Sequence, residues 1–155
     1  MASIVRIQEL ELHALQELRA ESLREGHKFI ERLCEEWASG KNRFSARGEA
    51  LFLAFADGRA IGVCGLNCDP YAGVPQIGRV RRLYVMRAHR RVGVGRALLV
   101  DVIAFARCHY RRLRVRTDAA NDFYIAQGFR RIATDAETTH VLELTPLPND
   151  AVPYP

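Results

Sequence analysis

Apolar and polar residues alternate from Ser3 to Gln8, as they do along a half-buried strand. Between Glu9 and Gly40 the period lengthens. Leu10, Leu15, Leu18, Leu23, Ile30, Leu33 and Trp37 recur mostly at helical spacings, and Gly26 divides the stretch into two helices. Strand patterning resumes from Glu49 to Ala56 and again from Ala60 to Asn67, and Asp57-Gly58 between them is a strong signal for a tight hairpin turn. Proline and glycine make 69–75 a loop, after which Ile77 to Met86 reads as a further strand.

An arginine-rich turn then leads into a helix from about Gly93 to Cys108. Val94, Leu98, Val102 and Phe105 form its apolar stripe, and Leu99, Ile103 and Ala106 widen it, so the helix must be covered along a broad side. Arg112 to Arg116 is a short strand, and Ala119 to Gln127 a short helix stopped by Gly128. Phe129 to Ala133 and Thr139 to Leu144 are two closing strands. The order is β-α-α-β-β-β-α-β-α-β-β. The proline-rich end, TPLPNDAVPYP, reads as a loose tail, which leaves a single domain over 1–146 and a tail over 147–155.

Composition narrows the class. With 155 residues, 48% of them hydrophobic, the chain can bury a core without disulfides or structural metal as its main stabiliser. No apolar run approaches the ~20 residues of a membrane span, and charges fall where a signal peptide needs its apolar stretch. A soluble cytoplasmic protein with reduced thiols is the expectation. Cys34, Cys64, Cys68 and Cys108 include no second Cys or His pair to complete a tetrahedral site around Cys64 and Cys68, so no metal is expected. The apolar setting of those two cysteines gives no reason for a lowered thiol pKa, and so none for an acetyl-cysteine intermediate.

The charge distribution is more informative than its net value of +5. Between Asp69 and Asp101 there is no acidic residue, while Arg79, Arg81, Arg82, Arg87, Arg90, Arg91 and Arg96 all fall there, a stretch that attracts an anion. Nucleic-acid phosphates and a phosphorylated cofactor both satisfy it. Within the stretch, a strand ending Leu83-Tyr84-Val85 passes through a basic turn with glycines into a helix, a place where unpaired amides and the helix dipole hold phosphate. A Walker loop needs Lys-Ser/Thr after its last glycine, where this chain has Arg96-Ala97, and a dinucleotide fingerprint needs Gly or Ala where it has Leu98. What remains is Arg-x-x-Gly-x-Gly, filled by Arg90, Gly93 and Gly95.

With its preceding strand and following Arg-Ala-Leu-Leu helix, this motif resembles the acetyl-coenzyme A signature of the GCN5-related N-acetyltransferase (GNAT) superfamily. The segment Arg114-Val115-Arg116-Thr117, followed by Phe123-Tyr124-Ile125-Ala126-Gln127-Gly128-Phe129, is similar to the family's second cofactor segment. The resemblance implies an α/β (α+β) fold with a mixed, mostly antiparallel central sheet flanked by helices. It also implies acetyl-coenzyme A as cofactor, amides from Arg91, Val92, Gly93, Val94, Gly95 and Arg96 around its pyrophosphate, and Arg90 beside it. Leu83 and Val85 would pair through their main chains with pantetheine, next to a bulge that splays the strand from its neighbour and admits the thioester. Tyr124 would protonate the departing thiolate. The family often has Asn seven residues before that tyrosine, where this chain has Thr117; Asn121 stands in for it.

The implied activity is transfer of acetyl from acetyl-coenzyme A to a primary amine by direct attack, with a small-molecule acceptor. Glu21, Glu25, His27, Asp69 and His140 are the acceptor-site candidates, and Glu21, Glu25 and Asp69, if they face the cleft, favour a cationic amine. His89 and His109, set among arginines, read as surface residues. Two rival readings stand beside this one: a non-catalytic coenzyme A sensor, and a basic nucleic-acid-binding module, which leaves the two glycines unexplained and lacks an aromatic-plus-basic strand. Neither nucleic acid nor membrane is the expected partner. Dimerisation through an exposed sheet edge is a further expectation.

Overall fold

The computed structural model describes residues 2–144; the predicted proline-rich tail lies outside them. In chain order the strands are β1 (Ser3–Ile7), β2 (Ala50–Ala56), β3 (Arg59–Cys68), β4 (Ile77–Val85), β5 (Arg112–Val115), β6 (Arg130–Asp135) and β7 (Thr138–Glu143). The helices are α1 (Gln16–Arg24), α2 (Phe29–Ser39), α3 (Val94–Ala106) and α4 (Asn121–Ala126), with short 3-10 turns at Leu12–Leu15 and Arg87–His89 that the periodicity did not single out. All seven strands join one sheet in the order β1-β2-β3-β4-β5-β7-β6. Every neighbouring pair is antiparallel except β4 and β5, so the sheet is mixed in the way anticipated. Among the described residues no helix is long and apolar enough to cross a membrane.

Alternation along β2 sends Ala50, Phe52 and Ala54 to one face and Leu51 and Leu53 to the other, and each face has its own core. On the first, α3 buries Val94, Leu98, Leu99, Val102, Phe105 and Ala106. The width of its stripe is thus matched by a sheet. On the second, Leu15, Leu18, Ile30, Leu33 and Trp37 of the N-terminal helices cover Leu51, Leu53, Val63 and Tyr84. Gly40, at φ 81°, ends α2 in the left-handed conformation that glycine adopts without a Cβ penalty.

Cys68, His109 and Asp69 sit differently from their sequence surroundings. Cys64 is fully buried and its thiol pKa is pushed up by that burial, whereas Cys68 at the strand end is exposed. His109 packs its ring 4.9 Å from Phe105 and has a buried, unpartnered Nε2, so it is not the surface residue its arginine neighbours suggested. Burial also lowers its pKa. Asp69, in a loop rich in Pro and Gly, is buried as well, for an electrostatic reason set out below.

Candidate active site

The sheet opens in its middle. β4 pairs with β5 only from Ile77 to Arg79; beyond Arg79 the two strands part. On its other edge β4 stays bonded to β3, but Val63 faces Tyr84 and Gly65 faces Arg81, so one intervening residue on β3 is opposed by two on β4, Arg82 and Leu83. This is a bulge on β4, and Arg82 carries its strain at φ 61°. Met86 N–H donates across to Ile61 O at 2.8 Å. By alternation the polar main-chain groups of Tyr84 also face β3, and those of Val85 and Leu83 face the gap toward β5.

Past Met86 the chain turns through Arg90, Arg91 and Val92 into α3. Arg91 at φ 63° and Gly93 at φ 89° are both left-handed, and no side chain caps the helix. The first-turn amides of α3 are therefore unpaired at the positive end of a 13-residue helix. A Cβ placed on Gly93 would meet no heavy atom within 4 Å, so the turn is open on that side. Arg91, Val92 and Arg96 are exposed around this opening and Val94 is buried beneath it. Gly95 lies over Phe123 and Val85, 3.6 and 3.7 Å from an ideal Cβ.

Arg90 turns away from that opening. Its Nε donates to Val85 O at 2.8 Å, its two terminal nitrogens donate to Glu25 at 3.0 and 2.5 Å, and its guanidinium lies 5.3 Å over the ring of Tyr84. The Tyr84 hydroxyl is 2.7 Å from Glu21 Oε1 and 2.6 Å from Glu25 Oε1, and Arg87 N–H donates to Glu21 at 2.7 Å. Hydrogen bonds from Arg90 and Tyr84 hold the Glu25 carboxyl down to about 2. Burial and the two carboxylates push the Tyr84 phenol up.

The far wall of the gap is built by β5 and α4. Tyr124 is 4% exposed and packs edge-on against Phe123 and Phe129, and burial raises its pKa, keeping the phenol protonated. Its hydroxyl has no hydrogen-bond partner among the described residues. Behind α4, His140 Nε2 is 2.8 Å from Asn121 Oδ1 and Nδ1 is 2.7 Å from Thr139 Oγ1. With Asn121 Oδ1 as acceptor, the neutral His140 carries its proton on Nε2. Burial lowers its pKa in agreement. Thr117 Oγ1 accepts from Ala120 N–H at 3.0 Å and so shapes the entry to α4.

Between these walls lies a cleft of about 380 Å³, whose lining includes Phe29, Leu83, Val115, Thr117 and Tyr124 together with Arg32, Arg79, Arg81, Arg82 and Arg116. None of the five acceptor-site candidates lines it. Glu21 and Glu25 are tied to Tyr84, Arg87 and Arg90; His27 is exposed beside Phe29; His140 is behind α4. Asp69 is enclosed by Arg79 and Arg114, its Oδ2 3.6 and 3.4 Å from their nitrogens. A carboxylate survives burial there because two guanidiniums face it. Sequence reading gave Tyr84 no site role, and Arg82 none beyond membership of the anion-attracting stretch. The signals were present: a tyrosine among apolar strand residues, and a third arginine where strict alternation allows two.

Residues 47–131 match the family model for an acetyltransferase (GNAT) domain, and the chain belongs to that family. An Exiguobacterium sp. 255-15 protein assigned as an acetyltransferase is 28% identical, with TM-score 0.85 over 92% of this chain and 93% of that one. A GNAT-family acetyltransferase of Staphylococcus aureus is 17% identical, with TM-score 0.74 over 94% of this chain and 100% of that one. A protein of Desulfovibrio desulfuricans assigned to the same family has TM-score 0.74 at 19% identity, over 94% of this chain and 100% of that one. The last two show a shared fold.

Proposed function

We propose that the protein transfers acetyl from acetyl-coenzyme A to a primary amine of a small molecule, by direct attack of the amine on the thioester. The gap between β4 and β5 supports this reading: it opens at a bulge, presents the main chain of Leu83 and the N–H of Val85, and runs toward a helix start with free amides. When bound, the thioester supplies an acyl group activated toward amines. Leu83 and Val85 hold the pantetheine arm as an added strand would. Val85 N–H faces the acetyl oxygen as negative charge develops on it.

Amides from Arg91 to Arg96 receive the diphosphate, with Gly93 leaving them uncovered and Arg91 and Arg96 adding charge. Arg90 acts one step removed, by holding the turn against Val85 and Glu25. Tyr124, neutral and unpartnered at the cleft wall, gives its proton to the departing thiolate. Asn121 supports this wall through His140.

Calorimetry with coenzyme A and thiol release from acetyl-coenzyme A across a panel of amines test the reading. Saturable binding with amine-dependent release is expected. Binding without release from any amine would identify a sensor, and absence of binding would remove the proposal.

A further inference from the structure

The acceptor face of β4 is strongly cationic. Arg79, Arg81, Arg82 and Tyr84 share the side turned toward α1 and α2, while Val80, Leu83 and Val85 turn toward α3. The carboxylates expected to offset this charge are engaged elsewhere. Asp69 is buried between Arg79 and Arg114, and Arg116 has its own partners in Asp118 and the carbonyl of Ala136. Three guanidiniums remain on the cleft wall: Arg32 and Arg81, whose side chains make no hydrogen bond or ion pair among the described residues, and Arg82, which meets Glu36 at 2.8 Å. Glu137 is the one acid among the residues lining the cleft, against five arginines, and Glu36 meets Arg82 alone, so the group is left short of negative charge.

Arg82 is the most constrained of the three. Its side chain is 9% exposed, its Nε is buried without a partner, and the bulge holds its backbone at φ 61°. Burial lowers its pKa and the charges of Arg81 and Arg32 add to that, with Glu36 the opposing influence. A buried guanidinium with an unmet donor is costly unless an anion joins it. The cofactor's phosphates are expected at the turn from Arg91 to Arg96, beyond the other end of the bulge, so they do not account for this group.

Resting on the acetyl-transfer reading above, we infer that the acceptor amine itself carries an anion, a carboxylate or a phosphate, held by Arg32, Arg81 and Arg82. The amine must reach the thioester beside Val85, three strand residues from Arg82, so amine and anion lie within about 10 Å of one another. Such an acceptor is an amino acid or a phosphorylated amine. This reverses the expectation of a cationic acceptor, because the acids that motivated it do not line the cleft.

Matched pairs test the inference in the full chain. Thiol release is compared for amino acids against their amides, and for amino-sugar phosphates against the free amino sugars, with polyamines as a cationic arm. The anionic member of a pair is expected to show kcat/KM at least tenfold higher, and whichever pair responds identifies carboxylate or phosphate. Arg81→Gln and Arg32→Gln should raise KM for that acceptor about tenfold and change coenzyme A affinity less than twofold; Arg32 is exposed, so its variant does not depend on refolding of the bulge. Calorimetry of the coenzyme A complex with N-acetylated products, anionic against neutral, reads the same preference without turnover. Tighter anionic product with no transfer from any amine would uphold the anion site and defeat the transferase reading. Equal or weaker binding and turnover of the anionic members would overturn the inference.

Discussion

Arg90 donates from Nε to the main-chain carbonyl of Val85 at 2.8 Å. That bond ties the arginine of the Arg-x-x-Gly-x-Gly motif to the last residue of β4, while its other nitrogens grip Glu25 on the opposite side of the sheet. The residue expected beside a phosphate thus links the turn before α3 to the N-terminal helices.

One consequence is an acid-sensitive contribution to stability. The Glu25 carboxyl is held at about 2 against an ordinary 4.5, so the folded state favours the ionised form. This contribution is complete above pH 4.5, shrinks below it, and is lost as the pH falls through 2. Arg90→Gln removes the main cause of the shift. Its Tm should lie below the parent's at neutral pH, and the difference should narrow as melts are taken toward pH 2.

The glycines of the turn separate folding from binding. Asn tolerates the left-handed backbone that Gly93 adopts, so Gly93→Asn should keep Tm within a few degrees while its side chain, pointing into open space over the amides, weakens coenzyme A at least tenfold by calorimetry. Gly95 is helical and an added Cβ stands at ordinary contact distance from Phe123 and Val85. Gly95→Ala should therefore stabilise the protein by about 0.5–1 kcal/mol in chemical denaturation.

Tyr124→Phe removes a hydroxyl that has no partner among the described residues, so folding and coenzyme A affinity should be nearly unchanged. If the phenol protonates the leaving thiolate, kcat should fall by about 10²-fold. Thiol release at saturating acetyl-coenzyme A reads the effect, and an unchanged rate would assign Tyr124 to packing.

Asp69→Asn leaves Arg79 and Arg114 facing one another without their shared carboxylate. The loss should be about 3 kcal/mol by urea denaturation, large for a loop residue, because Arg79 is left buried with no carboxylate partner among the described residues, while Arg114 keeps Asp135. Replacing a solvated acceptor-binding aspartate would instead change KM and leave the urea midpoint where it was.

Element order and the glycine turn ahead of α3 were legible in the chain, because both depend on local spacing: apolar periods of two and 3.6, a hairpin pair at Asp57-Gly58, and glycines behind an arginine. Boundaries moved by a residue or two where strand ends depend on partners, as at Arg130–Asp135, which outruns its apolar stretch. The acceptor side was not legible. Glu21, Glu25 and Asp69 are ordinary acids in one dimension, and only the packing of α1 against β4, and of the 69–75 loop against β5, decides that arginines neutralise two of them and a phenol and a peptide amide hold the third. Likewise the bulge that turns Arg82 toward Glu36 arises from pairing with β3. Local sequence determines what a segment prefers to be; which charges meet is set by elements far apart in the chain, since electrostatic partners are chosen by distance in space.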